Sequence, residues 1–321
     1  MSYRFSIIVP AYNRGHIIAT TLNSLINQSY PNDKYEIIVV DNNSTDNTKD
    51  IILNISKSSP VKLTYLLEER QGVHFARNTA SKKACGEYLY FTDDDMEADH
   101  RMLESFHNFI LIHPEISVAS GQVCPKWEID PPNWILKYFS IAYYSLQNRS
   151  EKLIISDSDF GVYSCHQLIK RDVFMQSCGF HPEYTGNEWL GDGETGLNKY
   201  LQSNGHIFAY IRNALTWHLI PKERISQSYL NKRFANQGCA DSYTYFREFN
   251  FTNIQIFKKC IKHLMPLFIT IVWYFVLKFT FNKLWHLKRC YISYWISRMK
   301  YDYRLSQSSE FRKFVLKDNW M

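Results

Sequence analysis

Three short apolar runs punctuate the first hundred positions: Phe5-Ser6-Ile7-Ile8-Val9, Glu36-Ile37-Ile38-Val39-Val40 and Glu87-Tyr88-Leu89-Tyr90-Phe91-Thr92. Each is short and bounded by polar turn residues, so each reads as a buried strand. Between the first two, Ile17, Ile18, Leu22, Leu25 and Ile26 fall on one helical face, and a further helix is expected after Asp46. Strands that alternate with helices predict an α/β fold with a mostly parallel sheet flanked by helices, and in such sheets ligands bind beyond the carboxyl ends of the strands. Pro10-Ala11-Tyr12-Asn13, Asp41 and Asp93-Asp94-Asp95 all stand at such ends.

The three consecutive acids carry the strongest chemical signal. Carboxylates this close repel one another unless positive charge lies between them, and a divalent cation with its anionic ligand supplies it. A cation at a strand end suggests phosphate chemistry. The simpler alternative is that the acids cap a helix beginning near Asp99, as Asp46 is expected to cap the helix that follows it.

Four segments then occur in a family's order and at comparable spacing: Ile8-Val9-Pro10-Ala11-Tyr12-Asn13, Val39-Val40-Asp41-Asn42-Asn43-Ser44-Thr45-Asp46, Gly72 through Ala76-Arg77-Asn78, and Phe91-Thr92-Asp93-Asp94-Asp95. Together they resemble the family 2 glycosyltransferases of GT-A fold. The resemblance is dense over residues 5–98, moderate to about residue 220 and slight beyond. It implies a Rossmann-like sheet and inverting, metal-dependent transfer of a sugar from a nucleotide-diphosphate donor, uridine or thymidine based. The acceptor it implies is a hydroxyl of a glycan or lipid-linked molecule, in bacterial surface-polysaccharide synthesis.

The resemblance assigns Asp41 to the nucleotide base, whose imide N–H a carboxylate can accept, and puts Pro10, Ala11, Tyr12 and Asn13 against the donor. Arg77 either reaches ribose or phosphate or pairs with Asp93 or Asp94; His74 reads as loop packing. Asp95 is the expected direct ligand of Mn²⁺ or Mg²⁺, Asp93 the partner of the ribose or of a metal-bound water, and Asp94 intermediate between them. Oxygen ligands suit either ion.

Inverting transfer needs a carboxylate to take the proton of the attacking hydroxyl. The family usually carries Glu-Asp with a Leu three residues after the Asp. Counting back from Leu197 in Gly191-Asp192-Gly193-Glu194-Thr195-Gly196-Leu197 puts Glu194 in the base position, with Asp192 as the second candidate. His218, closing Ala214-Leu215-Thr216-Trp217, falls where the family often places a metal-contacting His. Lys222 and Arg224 are placed to meet diphosphate on loop closure. Trp127, Trp134, Tyr138, Phe139, Tyr143 and Tyr144 read first as a packed subdomain and secondly as a sugar platform.

Composition adds a division of the chain. From Lys258 onward 13 Lys and Arg stand against 3 Asp and Glu, a balance of +10, while the preceding 257 residues carry −4. Residues 1–225 are expected to form the catalytic domain, with a nucleotide-sugar half (1–125) and an acceptor half (126–225), and 226–321 a helical, basic, aromatic-rich appendage. Within it Leu264–Phe281 is nearly all apolar and flanked by Lys258, Lys259 and Lys262 before and Lys283, Lys288 and Arg289 after. Basic clusters at both ends argue against a simple span. They favour a helix in the membrane interface with Trp273, Trp285 and Trp295 as anchors, the alternative being a soluble helical pair.

Met1-Ser2-Tyr3-Arg4 runs straight into a strand without the apolar stretch of a signal peptide, so the expected place is the cytoplasmic face of a membrane. Nucleic acid is not an expected partner. The seven cysteines lack a metal-ligand spacing and read as reduced thiols. Two rival functions are a nucleotidyltransferase, which would prefer a Gly-rich basic loop where Pro10-Ala11-Tyr12-Asn13-Arg14-Gly15 stands, and a non-catalytic scaffold, against which Asp95 and Glu194 both argue.

Overall fold

The computed structural model describes residues 3–182, 184–185, 188–249, 251–317 and 319–321. Met1 and Ser2, where the amino-terminal reading starts, lie outside it. The first half contains β1 (Phe5–Ala11), α1 (Ile18–Ile26), β2 (Tyr35–Asp41), α2 (Thr48–Ser58), β3 (Lys62–Leu67), α3 (Val73–Lys83), β4 (Tyr88–Thr92), β5 (Met96–Ala98), α4 (Met102–Ile112) and β6 (Val118–Trp127). After these come α5 (Asn133–Tyr138), β7 (Leu153–Ser156), β8 (His166–Lys170), α6 (Arg171–Gln176), a small hairpin of β9 (Tyr184–Thr185) and β10 (Glu188–Trp189), α7 (Glu194–Ser203) and β11 (Phe208–Ile220). The helices α8 (Gln227–Phe249), α9 (Asn253–Lys262), α10 (Leu264–Phe279), α11 (Trp285–Gln307) and α12 (Ser309–Val315) complete the chain.

Nine strands form one sheet in the order β3-β2-β1-β4-β8-β6-β11-β5, with β7 paired to β11. Strands β1 to β4, β6 and β11 run one way and β8, β5 and β7 the other. The sheet is thus mostly parallel, as expected. Its strands β1, β2 and β4 are buried on both faces because alternate residues enter different cores. Ile7 and Val9 join Leu22, Leu25, Met102 and Phe106 of α1 and α4, whereas Ile8 joins Ala76, Phe174, Leu197 and Leu201 of α3, α6 and α7.

The expected boundary near residue 225 is not a break in packing. Met96, Val123, Ile135 and Tyr144 share one buried cluster with Leu230, Phe234, Cys290 and Tyr294. At the end of the chain, the Trp320 amide donates to the Cys178 carbonyl at 3.0 Å, and Asn78 Nδ2 donates to the Trp320 carbonyl at 3.1 Å. Residues from 226 onward are helical as read from the sequence, but they are built into the catalytic body and not appended to it.

Helix α10 is the exception. Only Thr270 and Leu277 along it are buried, one heptad apart, and His263 just before it continues that stripe. A two-residue stripe at that spacing seats one narrow seam. The opposite side exposes Met265, Phe268, Ile269, Val272, Trp273, Phe275 and Phe279, the last at 86%. Asn253–Phe279 is the one helical stretch among the described residues long and apolar enough to cross a membrane, and 17% of its most apolar window is buried. Of the three expected Trp anchors only Trp273 is exposed; Trp285 stacks on His286 at 3.7 Å, and Trp295 packs half-buried against His263 at 5.4 Å.

Candidate active site

Parallel register sets Ala11 beside Asp41 at the ends of β1 and β2, and β4 ends next to them at Thr92. The chain then turns through the three acids into β5. That strand pairs antiparallel with β11, aligning Met96 with His218, and the Leu219 amide donates to the Asp95 carbonyl at 2.8 Å. Sheet register therefore puts Asp95 and His218 side by side although 123 positions separate them in sequence. The chain leaves β11 through Pro221 into a short 3-10 turn, Lys222–Ile225, which returns Arg224 to the same point.

Each acid has its own guanidinium. Arg77 pairs with Asp93, Arg14 Nε with Asp94 Oδ1 at 2.9 Å, and Arg224 with Asp95 Oδ2 at 2.7 Å. The repulsion that the sequence suggested a cation must relieve is already relieved by three arginines from three elements. Burial pushes the Asp94 carboxyl upward, against the pull of Arg14. Burial acts in the same sense on Asp95, but the basic groups packed against it outweigh it and hold that carboxyl below its usual range.

A cavity of about 360 Å³ opens over these residues. Of the residues expected to form the site, Pro10, Ala11, Tyr12, Arg77, Asp93, Asp94, Asp95 and Glu194 line it. Four do not. Asn13, at φ 53°, organises the loop: its amide donates to Ser44 Oγ and its Oδ1 accepts from the Thr45 amide. Asp41 is buried, with Oδ1 accepting from the Ser44 amide at 2.8 Å and Oδ2 from the Tyr65 hydroxyl at 2.9 Å, while the adjacent Asn42 reaches the cavity wall. His218 lies behind Asp95. Asp192 faces away, into a second cavity with Cys178 and His181.

Arg77 pairs with an acid, the second of its two readings, and also stands in the cavity wall. It is 2% exposed, and the acid is Asp93. Its guanidinium also donates to Ser164 Oγ at 2.8 Å, and Ser164 in turn donates to Glu194 Oε2 at 3.1 Å. Gly193, at φ 57°, turns the chain so that Glu194 begins α7 with its carboxylate toward the cavity, 3.8 Å from His74 Nε2. His74 itself stacks on Phe180, but from the first turn of α3 and not from a loop.

The sequence reading missed Arg14, Ser164, Tyr163 and Arg233, all in the cavity wall. Arg14 directly follows Pro10–Asn13 and was open to notice. Ser164 and Tyr163 sit on an irregular loop before β8 with no local signal.

A divalent cation fits this site by one test. Asp95 Oδ1 is buried, accepts no hydrogen bond and lies 3.5 Å from His218 Nε2. His218 Nδ1 contacts the Tyr144 carbonyl at 2.7 Å, which fixes the proton on Nδ1 and leaves Nε2 with a lone pair. No cluster of three or more His, Cys, Asp or Glu occurs among the described residues, so donor oxygens would complete the shell.

Residues 6–177, just over half of the chain, match the family model described as Glycosyl transferase family 2. The Haloferax volcanii glycosyltransferase AglE is 38% identical over 99 residues, 31% of this chain and 33% of that protein. The Escherichia coli UDP-Glc:alpha-D-GlcNAc-diphosphoundecaprenol beta-1,3-glucosyltransferase WfgD is 41% identical over 93 residues, 29% of this chain and 35% of that protein. The matches thus span about a third of these relatives. Among solved structures, Staphylococcus aureus TarS 1–349 in complex with UDP aligns with TM-score 0.51 at 19% identity, covering 96% of this chain and 93% of that one. Mannosyltransferase PcManGT from Pyrobaculum calidifontis, in complex with GDP-Man and Mn²⁺, gives 0.53 at 21% identity over 74% of this chain and 63% of that one. At these identities the likeness establishes the fold.

Proposed function

The chain belongs to glycosyl transferase family 2, and from that premise we propose that it transfers a sugar, with inversion, from a uridine diphosphate donor to a hydroxyl of a lipid-linked or polymeric glycan. The observation that supports this best is the one cavity in which the strand-end residues Pro10–Tyr12 and Asp93–Asp95 face Glu194. Donor phosphate chemistry and an acceptor base would thereby share one cavity.

In this reading the uracil and ribose lie against Ala11, Tyr12, Asn42 and Asp93, with Asp41 holding the loop that Asn42 follows. Asp95 and His218 would hold Mn²⁺ or Mg²⁺, which when bound supplies positive charge against the departing diphosphate. Arg224 and Arg14 add positive charge at the same wall. Glu194 Oε2 takes the proton from the acceptor hydroxyl as its oxygen attacks the anomeric carbon opposite the leaving group. Ser164 orients that carboxylate, and Arg77 orients Ser164.

The acceptor class draws on relatives named as acting on undecaprenol-linked sugars. It also draws on α10, whose apolar face and neighbouring lysines suit the cytoplasmic surface of a membrane. Incubating the purified protein with Mn²⁺ and a panel of UDP-sugars, with a lipid-linked acceptor extract, tests the proposal. Release of UDP by the native chain and its collapse in Glu194→Gln are expected. Release from none of the UDP-sugars, but from another nucleotide sugar, would refute the donor assignment.

A further inference from the structure

We propose that Arg224 occupies the cation's place between Asp95 and His218 in the empty enzyme and yields it when a nucleotide diphosphate draws the guanidinium away, so that cation and donor bind as a coupled pair. The inference rests on the metal-dependent reading above and adds to it a residue that makes the two ligands interdependent.

The geometry is a clip. One guanidinium nitrogen of Arg224 donates to Asp95 Oδ2 at 2.7 Å and the other to His218 Nε2 at 2.7 Å. Arginine stays protonated and has no acceptor, so in the second contact His218 must be the acceptor, using the Nε2 lone pair that its Nδ1 contact with Tyr144 leaves available. A cation held by Asp95 and His218 needs that same lone pair. The guanidinium and the cation therefore compete for His218 and repel each other across Asp95.

The three members differ in freedom. Asp95 and His218 are 7% and 5% exposed and are tied to paired strands. Arg224 is 21% exposed, stands on the short turn Lys222–Ile225 beyond the sheet, and lines the cavity where phosphate would lie. The side chain able to leave is thus the arginine. A diphosphate offers its planar fork a bidentate acceptor of higher charge than one carboxylate oxygen and one imidazole. When it takes that offer, Asp95 and His218 present their lone pairs together. Linkage makes the effect reciprocal, since whatever UDP does for the cation the cation does for UDP.

The test is Mn²⁺ binding, read from the loss of the free-ion EPR signal, on the full chain with and without UDP. The native protein should bind Mn²⁺ weakly alone and roughly 5- to 150-fold more tightly with UDP. Arg224→Gln should bind Mn²⁺ alone about 10-fold more tightly than the native chain and show a much smaller effect of UDP. Arg224→Lys, which keeps charge but cannot bridge both acceptors, should fall between. Arg14→Gln removes the same charge from the same cavity without touching Asp95 or His218; an equal gain in that variant would overturn the proposal in favour of bulk electrostatics. Unchanged Mn²⁺ affinity in both Arg224 variants, with the native chain still binding in the presence of UDP, would overturn the clip and leave the metal reading intact. Absence of Mn²⁺ binding to every form even with UDP would overturn the metal reading and the clip together.

Discussion

His181 Nδ1 lies 2.9 Å from Asp192 Oδ1, with both side chains at 5% exposure or less. Thr244 Oγ1 donates to the other carboxylate oxygen at 2.6 Å. Both oxygens of Asp192 are thus engaged inside the fold and outside the main cavity, whereas Glu194, two residues on, lines it. That relationship gives different surroundings to two acids that stand almost together in the sequence.

For the base, Glu194→Gln keeps size and the hydrogen bond from Ser164 but cannot take a proton, so kcat should fall by roughly two to four orders of magnitude with donor affinity nearly unchanged. Asp192→Asn should lower stability and leave kcat of the folded fraction within a few-fold. Steady-state kinetics on both variants, normalised to folded protein, check the ranking. The reverse order would reassign the base.

The same pair predicts a pH dependence of stability. Burial opposes protonation of His181, but the hydrogen bond to Asp192, with Cys178 adding, outweighs it and the imidazole pKa is pushed up to about 9. The folded value exceeds the ordinary 6.5, so the stabilisation is fully present below pH 6.5 and is lost as pH rises through 9. Its size is on the order of 3 kcal/mol. Urea unfolding of the native chain between pH 6.5 and 9.5 should show this decline, and Asp192→Asn should flatten it. Parallel curves for the two proteins would remove His181 as its source.

Arg77→Ala deletes a buried guanidinium that pairs with Asp93, donates to Ser164 and lies over the Phe180 ring. The cost should be about 3–5 kcal/mol of folding stability, because partners are left behind in the fold. Lysine should recover little of it, since one ammonium cannot bridge Asp93 and Ser164. Denaturant midpoints measure this; a variant of native stability with only a raised KM would make Arg77 a substrate contact alone.

At the membrane, Phe268→Glu combined with Trp273→Glu alters two exposed side chains and should leave thermal unfolding unchanged. Flotation with anionic liposomes should carry the native chain, more weakly at high salt, and leave the double variant behind. Equal flotation of both proteins would remove α10 as the docking face.

Deleting residues 285–321 should not yield a well-folded catalytic domain. It removes Cys290 and Tyr294 from the cluster shared with Met96 and Phe234, and takes the Trp320 carbonyl from Asn78. Limited proteolysis should show rapid digestion of the shortened chain; a stable, cooperatively folding fragment would restore the separable tail that composition suggested.

The sequence alone determined three central strands of the sheet, because β1, β2 and β4 are short, mostly apolar runs and both the period of α1 and the polar stops between elements are local properties. It also determined that the segments following β1 and β4 reach the site, since in a parallel sheet the carboxyl ends of neighbouring strands come together whatever the side chains are. Local pattern does not carry the partners of each charge. Asp93, Asp94 and Asp95 are adjacent in sequence, yet their arginines arrive from α3, from the loop after β1 and from the turn after β11, and only sheet register decides that Arg224 and not solvent meets Asp95. Glu194 and Asp192 are likewise equivalent in composition, and Gly193, with its left-handed φ, turns one toward the cavity and the other toward His181. Long-range pairing needs the whole backbone in place before a carboxylate has a neighbour, and for that reason the partners of each acid were decided by tertiary structure.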